Sequence, residues 1–296
     1  MNPSFTPVPP DQVTAGAVFA GLAILVILCS GLVLDIRMMR RFRRDGIPPP
    51  AYADLLLSRH WHWMDALWLT LVMSVFIGAL LLVGQLTKPF TDNLEPAAVR
   101  IVIIVQNLVT QGLALGLVLY LQRRSGTTLA MSLGGPPAPL STRLRQAFMA
   151  YLAAMPFIAV AAMVSNALAL VSDMPSAPQP ILAGFIDTTA PLWFKGWLVI
   201  TAIAAAPLVE EVVFRGVFFP AIARHRGIPG GIVLGSMLFA MIHGHIPAVL
   251  PLFVVGTTLS LAYLYTGSLI VPIFIHAMFN TVNLTTLMLS GITYTP

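Results

Sequence analysis

Eight long apolar stretches follow one another along the 296 residues, at about 13–34, 64–86, 98–121, 147–171, 196–223, 230–246, 251–265 and 268–289. A helix needs about 20 apolar residues to cross a hydrocarbon core about 30 Å thick, and most of these stretches meet that length. None shows the alternation of apolar and polar positions over about 10 residues that a membrane strand requires. The pattern predicts an all-α fold, a polytopic transmembrane helical bundle of about eight spans, in which 251–265 is the weakest element. Pro48, Pro49 and Pro50 mark a hinge after the first stretch. Gly134, Gly135, Pro136, Pro137 and Pro139 make 125–141 a connecting segment that neither continues a helix nor starts a strand. It divides the chain into an N-terminal extension, 1–146, with three spans and the linker, and a C-terminal core, 147–296.

Charge fixes the orientation of these spans. Arg37, Arg40, Arg41, Arg43 and Arg44 follow the first stretch, and with that cluster in the cytoplasm Arg59, Arg123, Arg124, Arg143, Arg145, Arg224 and Arg226 fall inside as well. Only Lys88, Arg100 and Lys195 fall outside, so the bias supports eight spans with both termini external. Connections near Thr87 and Ser176 are then external. No basic segment precedes the first stretch, which reads as a retained helix and not a cleaved signal. The expected setting is a lipid bilayer, in a bacterial inner membrane.

Composition agrees. Hydrophobic residues make up 57% and charged residues 9%, and the mean hydropathy is +0.87. A net charge of +5 would suit nucleic acid, but the basic residues sit between apolar runs, as cytoplasmic loops do, and no nucleic-acid partner is expected. The single cysteine, Cys29, excludes an internal disulfide. His60, Trp61, His62, Trp63 and Trp68 read as an aromatic belt where the second span enters the membrane.

Beyond Thr188 the only carboxylates are Glu210 and Glu211, inside an apolar span. A carboxylate there must pair, face a wet cavity or hold a proton. Helical geometry puts Glu211 and Arg215 on one face, four residues apart, and turns Glu210 about 100° away, free to act. A structural clamp between helices is the competing reading of this trio. His243 lies in a second span, and His276 and Asn280 lie one turn apart in a third, with Asn283 continuing their stripe. Counted from the inner helix ends near Arg224, Gly230 and Gly267, Glu210, His243 and Asn280 are each about 13 residues deep. At 1.5 Å per residue they share one level, roughly 20 Å in, with His276 somewhat shallower. A Glu and a His can activate water, and a neutral His with an Asn amide can donate to an oxyanion.

Glu210-Glu211-Val-Val-Phe-Arg215, Phe239-x-x-x-His243 and His276-x-x-x-Asn280, in that order within 192–283, resemble the EExxxR, FxxxH and HxxxN motifs of the CPBP family, the type II CAAX-protease-like intramembrane endopeptidases. The resemblance implies that Glu210 activates water with help from His243, that Arg215 holds Glu211, and that His276 and Asn280 stabilise the tetrahedral oxyanion. The implied substrate is a peptide or lipidated protein at the membrane. No HExxH is present, and no cofactor is expected, although Glu210, His243 and His276 are candidate zinc ligands. A proton-coupled transporter using the same groups, and a non-proteolytic scaffold or bacteriocin immunity protein, are the alternatives.

Overall fold

The computed structural model describes residues 4–6, 14–91, 94–172, 184–290 and 293–295. Ser176 therefore lies outside the described residues. The fold is an all-α polytopic membrane bundle. Its helices in chain order are α1 (Ala15–Asp45), α2 (Ala53–Leu57), α3 (Trp63–Thr91), α4 (Pro96–Arg124), α5 (Leu129–Leu133), α6 (Leu140–Val171), α7 (Leu192–Ile200), α8 (Ala206–Glu211), α9 (Phe219–Met241), α10 (Val249–Thr266) and α11 (Ile270–Leu289). Two π-helical stretches, Thr201–Ala205 and Val212–Phe218, join α7, α8 and α9 without a break.

Seven helical stretches among the described residues are long and apolar enough to cross a membrane, and one of them, Leu192–Met241, is 50 residues long. Straight, it would reach about 75 Å, far beyond a bilayer. It does not run straight. Gly227 adopts φ 75° and ψ 167°, outside the helical region. A side chain added at Gly231 would stand 2.8 Å from the Ala223 Cβ and 3.0 Å from the Phe219 ring, which only a reversal of the chain can bring about. The stretch is thus two antiparallel spans, 192–226 and 228–241, and the bundle has the eight crossings expected.

Helix contacts sort the connections onto two faces. On one, Arg224 donates to the Arg59 carbonyl, the Tyr265 hydroxyl donates to the Pro48 carbonyl, and Gly135 packs against Gly267. On the other, Thr14 at the start of α1 donates to the carbonyl of Leu289 at the end of α11. There Ser4–Thr6 also pairs antiparallel with Thr293–Thr295. Termini on one face and arginine-bearing turns on the other are what an even number of crossings produces.

Three local expectations are corrected. α1 does not end near Leu34 but continues through the arginines to Asp45, where Gly46 at φ 77° stops it. Arginine is a good helix former, and Arg43 and Arg44 in the last turn complement the helix dipole. Segment 125–141 is not bare linker, because Thr128 caps α5 and Arg59 donates to the carbonyls of Met131 and Gly134. Trp61 is not at a lipid interface. It is fully buried, its indole nitrogen 3.4 Å from the Ser132 carbonyl, whereas Trp63 and Trp68 are half exposed as a belt requires.

The main core joins residues of α3, α4, α6, α9, α10 and α11, with Val255 and Leu259 of α10 at its centre. Gly256 lets α10 approach α9 closely: a Cβ there would stand 3.0 Å from the Ser236 Cα.

Candidate active site

The carboxylates occupy the last two positions of α8 and the arginine the π-helical stretch beyond it, so the site begins where helical winding changes. Such π segments recur at functional sites. The Glu211 Oε1 accepts from Arg215 Nη1 at 2.9 Å, and both side chains are buried. Arg215 Nη2 also donates to the Gly256 carbonyl at 3.0 Å, and its guanidinium lies 4.6 Å from the Phe239 ring centroid. The pair anticipated from the i, i+4 spacing is present, and it ties α8 to α9 and α10.

Glu211 has a second partner that spacing could not reveal. His276 Nδ1 lies 2.9 Å from the same Oε1. An ionised carboxylate only accepts, so Nδ1 carries the proton and Nε2 of the neutral ring is left with its lone pair. That nitrogen faces Glu210 Oε2 at 3.9 Å, a separation that suits a bridging water. Donation from Nε2 to an oxyanion would therefore need a second proton on the ring. Glu210 is the more open of the two glutamates, its side chain 27% exposed against 0% for Glu211.

His243 was expected inside a helix that runs to Ile246. The helix ends at Met241 instead, and His243 lies in the turn beyond it, where Gly244 takes φ 60° and Pro247 follows. Its Nδ1 is 2.7 Å from the Phe239 carbonyl. A carbonyl only accepts, so Nε2 again holds the lone pair. Phe239 stands between the two imidazoles, its ring 4.9 Å from that of His243 and 5.5 Å from that of His276. Motif spacing marked Phe239 without giving it a task. In the structure it is the fully buried wedge that sets both histidines and the arginine apart.

Asn280 donates from Nδ2 to the Ala202 carbonyl at 2.8 Å, and the sequence explains why that carbonyl is open. The Ala206 N–H bonds the Thr201 carbonyl in the π-helical stretch, and Pro207 has no N–H to offer. Ala202 is thereby deprived of its helical donors, and a buried carbonyl takes the donor it is given. One amide hydrogen of Asn280 is committed here and one remains.

The structure thus brings Glu210, Glu211, Arg215 and His276 into direct contact or near contact, reaches His243 through Phe239, and places Asn280 one turn beyond His276. Among the described residues no group of three His, Cys, Asp or Glu side chains is placed to share an ion, and a metalloprotease finds no support.

A buried charged and imidazole-rich centre inside a polytopic helical bundle defines a membrane protein built around an intramembrane polar site. Residues 191–282, which contain all of these groups, match the family model described as Rce1-like, type II CAAX prenyl endopeptidase. A curated relative, named "Putative membrane peptidase YdiL", of Bacillus subtilis (strain 168), is 29% identical over 84 residues. That match covers 28% of this chain and 34% of the relative, about a third of its length. No solved structure matches. The CPBP resemblance read from three short motifs is supported by both matches.

Proposed function

We propose that the chain is an intramembrane endopeptidase that hydrolyses a peptide bond of a membrane-associated polypeptide. The observation that carries this reading is the polar centre within the matched segment: one carboxylate fixed by an arginine and a histidine, and a second left open opposite that histidine's free nitrogen. Glu210 takes a proton from a water held between it and the imidazole nitrogens. The hydroxide adds to the scissile carbonyl carbon, and the carbonyl oxygen becomes the oxyanion. The remaining amide hydrogen of Asn280 supplies a donor to it. Glu210 returns its proton to the amine as the C–N bond breaks. No metal enters this sequence. The test is comparative membrane proteomics of wild type against Glu210→Gln: a peptide or protein accumulating uncut in the variant supports the reading, and identical profiles in cells expressing both forms equally would remove it.

A further inference from the structure

α1 and α6 meet at one close contact and leave a groove beside it. A Cβ at Gly31 would collide with the Leu152 carbonyl oxygen and stand 2.8 Å from Pro156 Cδ, so the two backbones touch there. Pro156 removes the N–H that an unbroken helix would turn to the Leu152 carbonyl, and that carbonyl lies against Gly31. Alongside the contact runs a groove of about 400 Å³, lined by residues of α1 from Cys29 to Arg37 and by Met149 and Leu152 of α6. Its length on α1 is about 12 Å, close to the roughly 15 Å that one leaflet contributes to the hydrocarbon core.

The groove ends in positive charge. Ser30, Val33, Leu34 and Arg37 share one face of α1 through their three- and four-residue spacing, and Arg40 continues that face. On α6, Arg145 stands one turn before Met149 and two before Leu152, on the same face as both. Arg37 follows Gly31 and Arg145 precedes Leu152 by similar distances, so each lies about 10 Å from the contact, on the arginine-bearing side. Arg37, Arg40 and Arg145 are exposed, and among the described residues none of them pairs with a carboxylate. Asp45 takes Arg41 and Arg44, and Asp35 is turned about 160° away from Arg37. The adjoining connections leave in other directions. Beyond α1 the Pro48 carbonyl accepts from the Tyr265 hydroxyl of α10, and before α6 Gly135 packs against Gly267.

We infer that this groove is a binding site for a phospholipid with an anionic headgroup, one acyl chain lying between α1 and α6 and the phosphate resting among Arg37, Arg40 and Arg145. Basic pockets between membrane helices on the cytoplasmic side select such headgroups. A zwitterionic lipid offers the same acyl chain, but its ammonium group opposes the arginines. The site lies apart from the polar centre and does not depend on the peptidase reading.

The test uses the full chain in nanodiscs of unlabelled phosphatidylcholine, with a bimane on Cys29, the sole cysteine, exposed in the groove. Phosphatidylglycerol brominated in its acyl chains is expected to quench the bimane at a roughly 25-fold lower mole fraction than equally brominated phosphatidylcholine, about fivefold for each of Arg37 and Arg145. Arg37→Gln combined with Arg145→Gln should abolish the preference, and Arg43→Gln, about 120° around α1 from Arg37, should keep it. In native mass spectrometry the unlabelled wild type should retain one phosphatidylglycerol and the double variant none. Equal quenching by the two lipids, a preference that survives in the double variant or falls as far in Arg43→Gln, or a wild type that retains no phosphatidylglycerol overturns the site. Displacement of the lipid by inorganic phosphate, and not by chloride at equal ionic strength, would make a free anion the ligand and overturn the lipid.

Discussion

Glu210 and Glu211 are chain neighbours with opposite surroundings, and substitution should separate them. Glu210→Gln keeps shape and loses the base, so folded yield is expected to stay at the wild-type level while hydrolysis disappears. Glu211→Ala or Arg215→Ala strands a buried charge, at a cost of about 3–5 kcal/mol, and should lower extractable folded protein as well. Yield by size-exclusion chromatography beside turnover of the spared substrate reads both. Activity lost in Glu211→Gln at normal yield, but retained in Glu210→Gln, would exchange their roles. The same side chains bear on metal: turnover is expected to survive prolonged strong chelation, with well below one zinc per chain by elemental analysis. Activity lost on chelation and restored only by zinc, with zinc absent from Glu210→Gln and His243→Ala, would instead define a ligand set. The Glu211–Arg215 pair was legible because four residues on a helix bring two side chains together. The His276 contact to Glu211 spans 65 positions and was not, and with it went the ring's tautomer.

Among elements, the least legible were the two π-helical stretches, because no hydrophobic period distinguishes one widened turn inside an apolar run. The signal that existed was Pro207, which removes a donor from the span that carries the glutamates. Its consequence is a carbonyl at Ala202 that captures Asn280. Pro207→Ala restores an N–H and offers that carbonyl or its neighbour a helical partner. Asn280→Ala alone is expected to slow turnover about 100 to 1000-fold, as loss of an oxyanion donor does. In the Pro207→Ala background the further loss should be smaller, because Asn280 is already displaced. A double-mutant cycle in kcat measures this, and strict additivity would show that the Ala202 contact does not position the amide. The helices themselves were legible nearly throughout, since apolar length alone decides them. The late end of α1 and the early end of α9 were the exceptions: charge closed the first apolar run without ending its helix, and beyond α9 the apolar run continued across the turn residues Gly244 and Pro247 and concealed the stop.

For the whole molecule, the eight crossings and the shared face of the arginines were readable from hydropathy and charge together, while the folded α2–α5 layer was not. That layer is held by Arg59 and Trp61 on backbone carbonyls, contacts between segments about 70 residues apart. The short second span within 192–241, residues 228–241, has a further consequence, for the lipid. A span of about 21 Å beside neighbours of full length cannot match a bilayer about 30 Å thick, and the acyl chains next to it must compress or tilt to avoid leaving apolar surface uncovered. Local thinning of this kind shortens the apolar path that a peptide and a water molecule must travel to Glu210. Reconstituted into phosphatidylcholine of increasing chain length, the protein is therefore expected to lose turnover as the acyl chains lengthen, with folded fraction unchanged. A flat profile from 14 to 22 carbons would show that the deformation plays no part in catalysis.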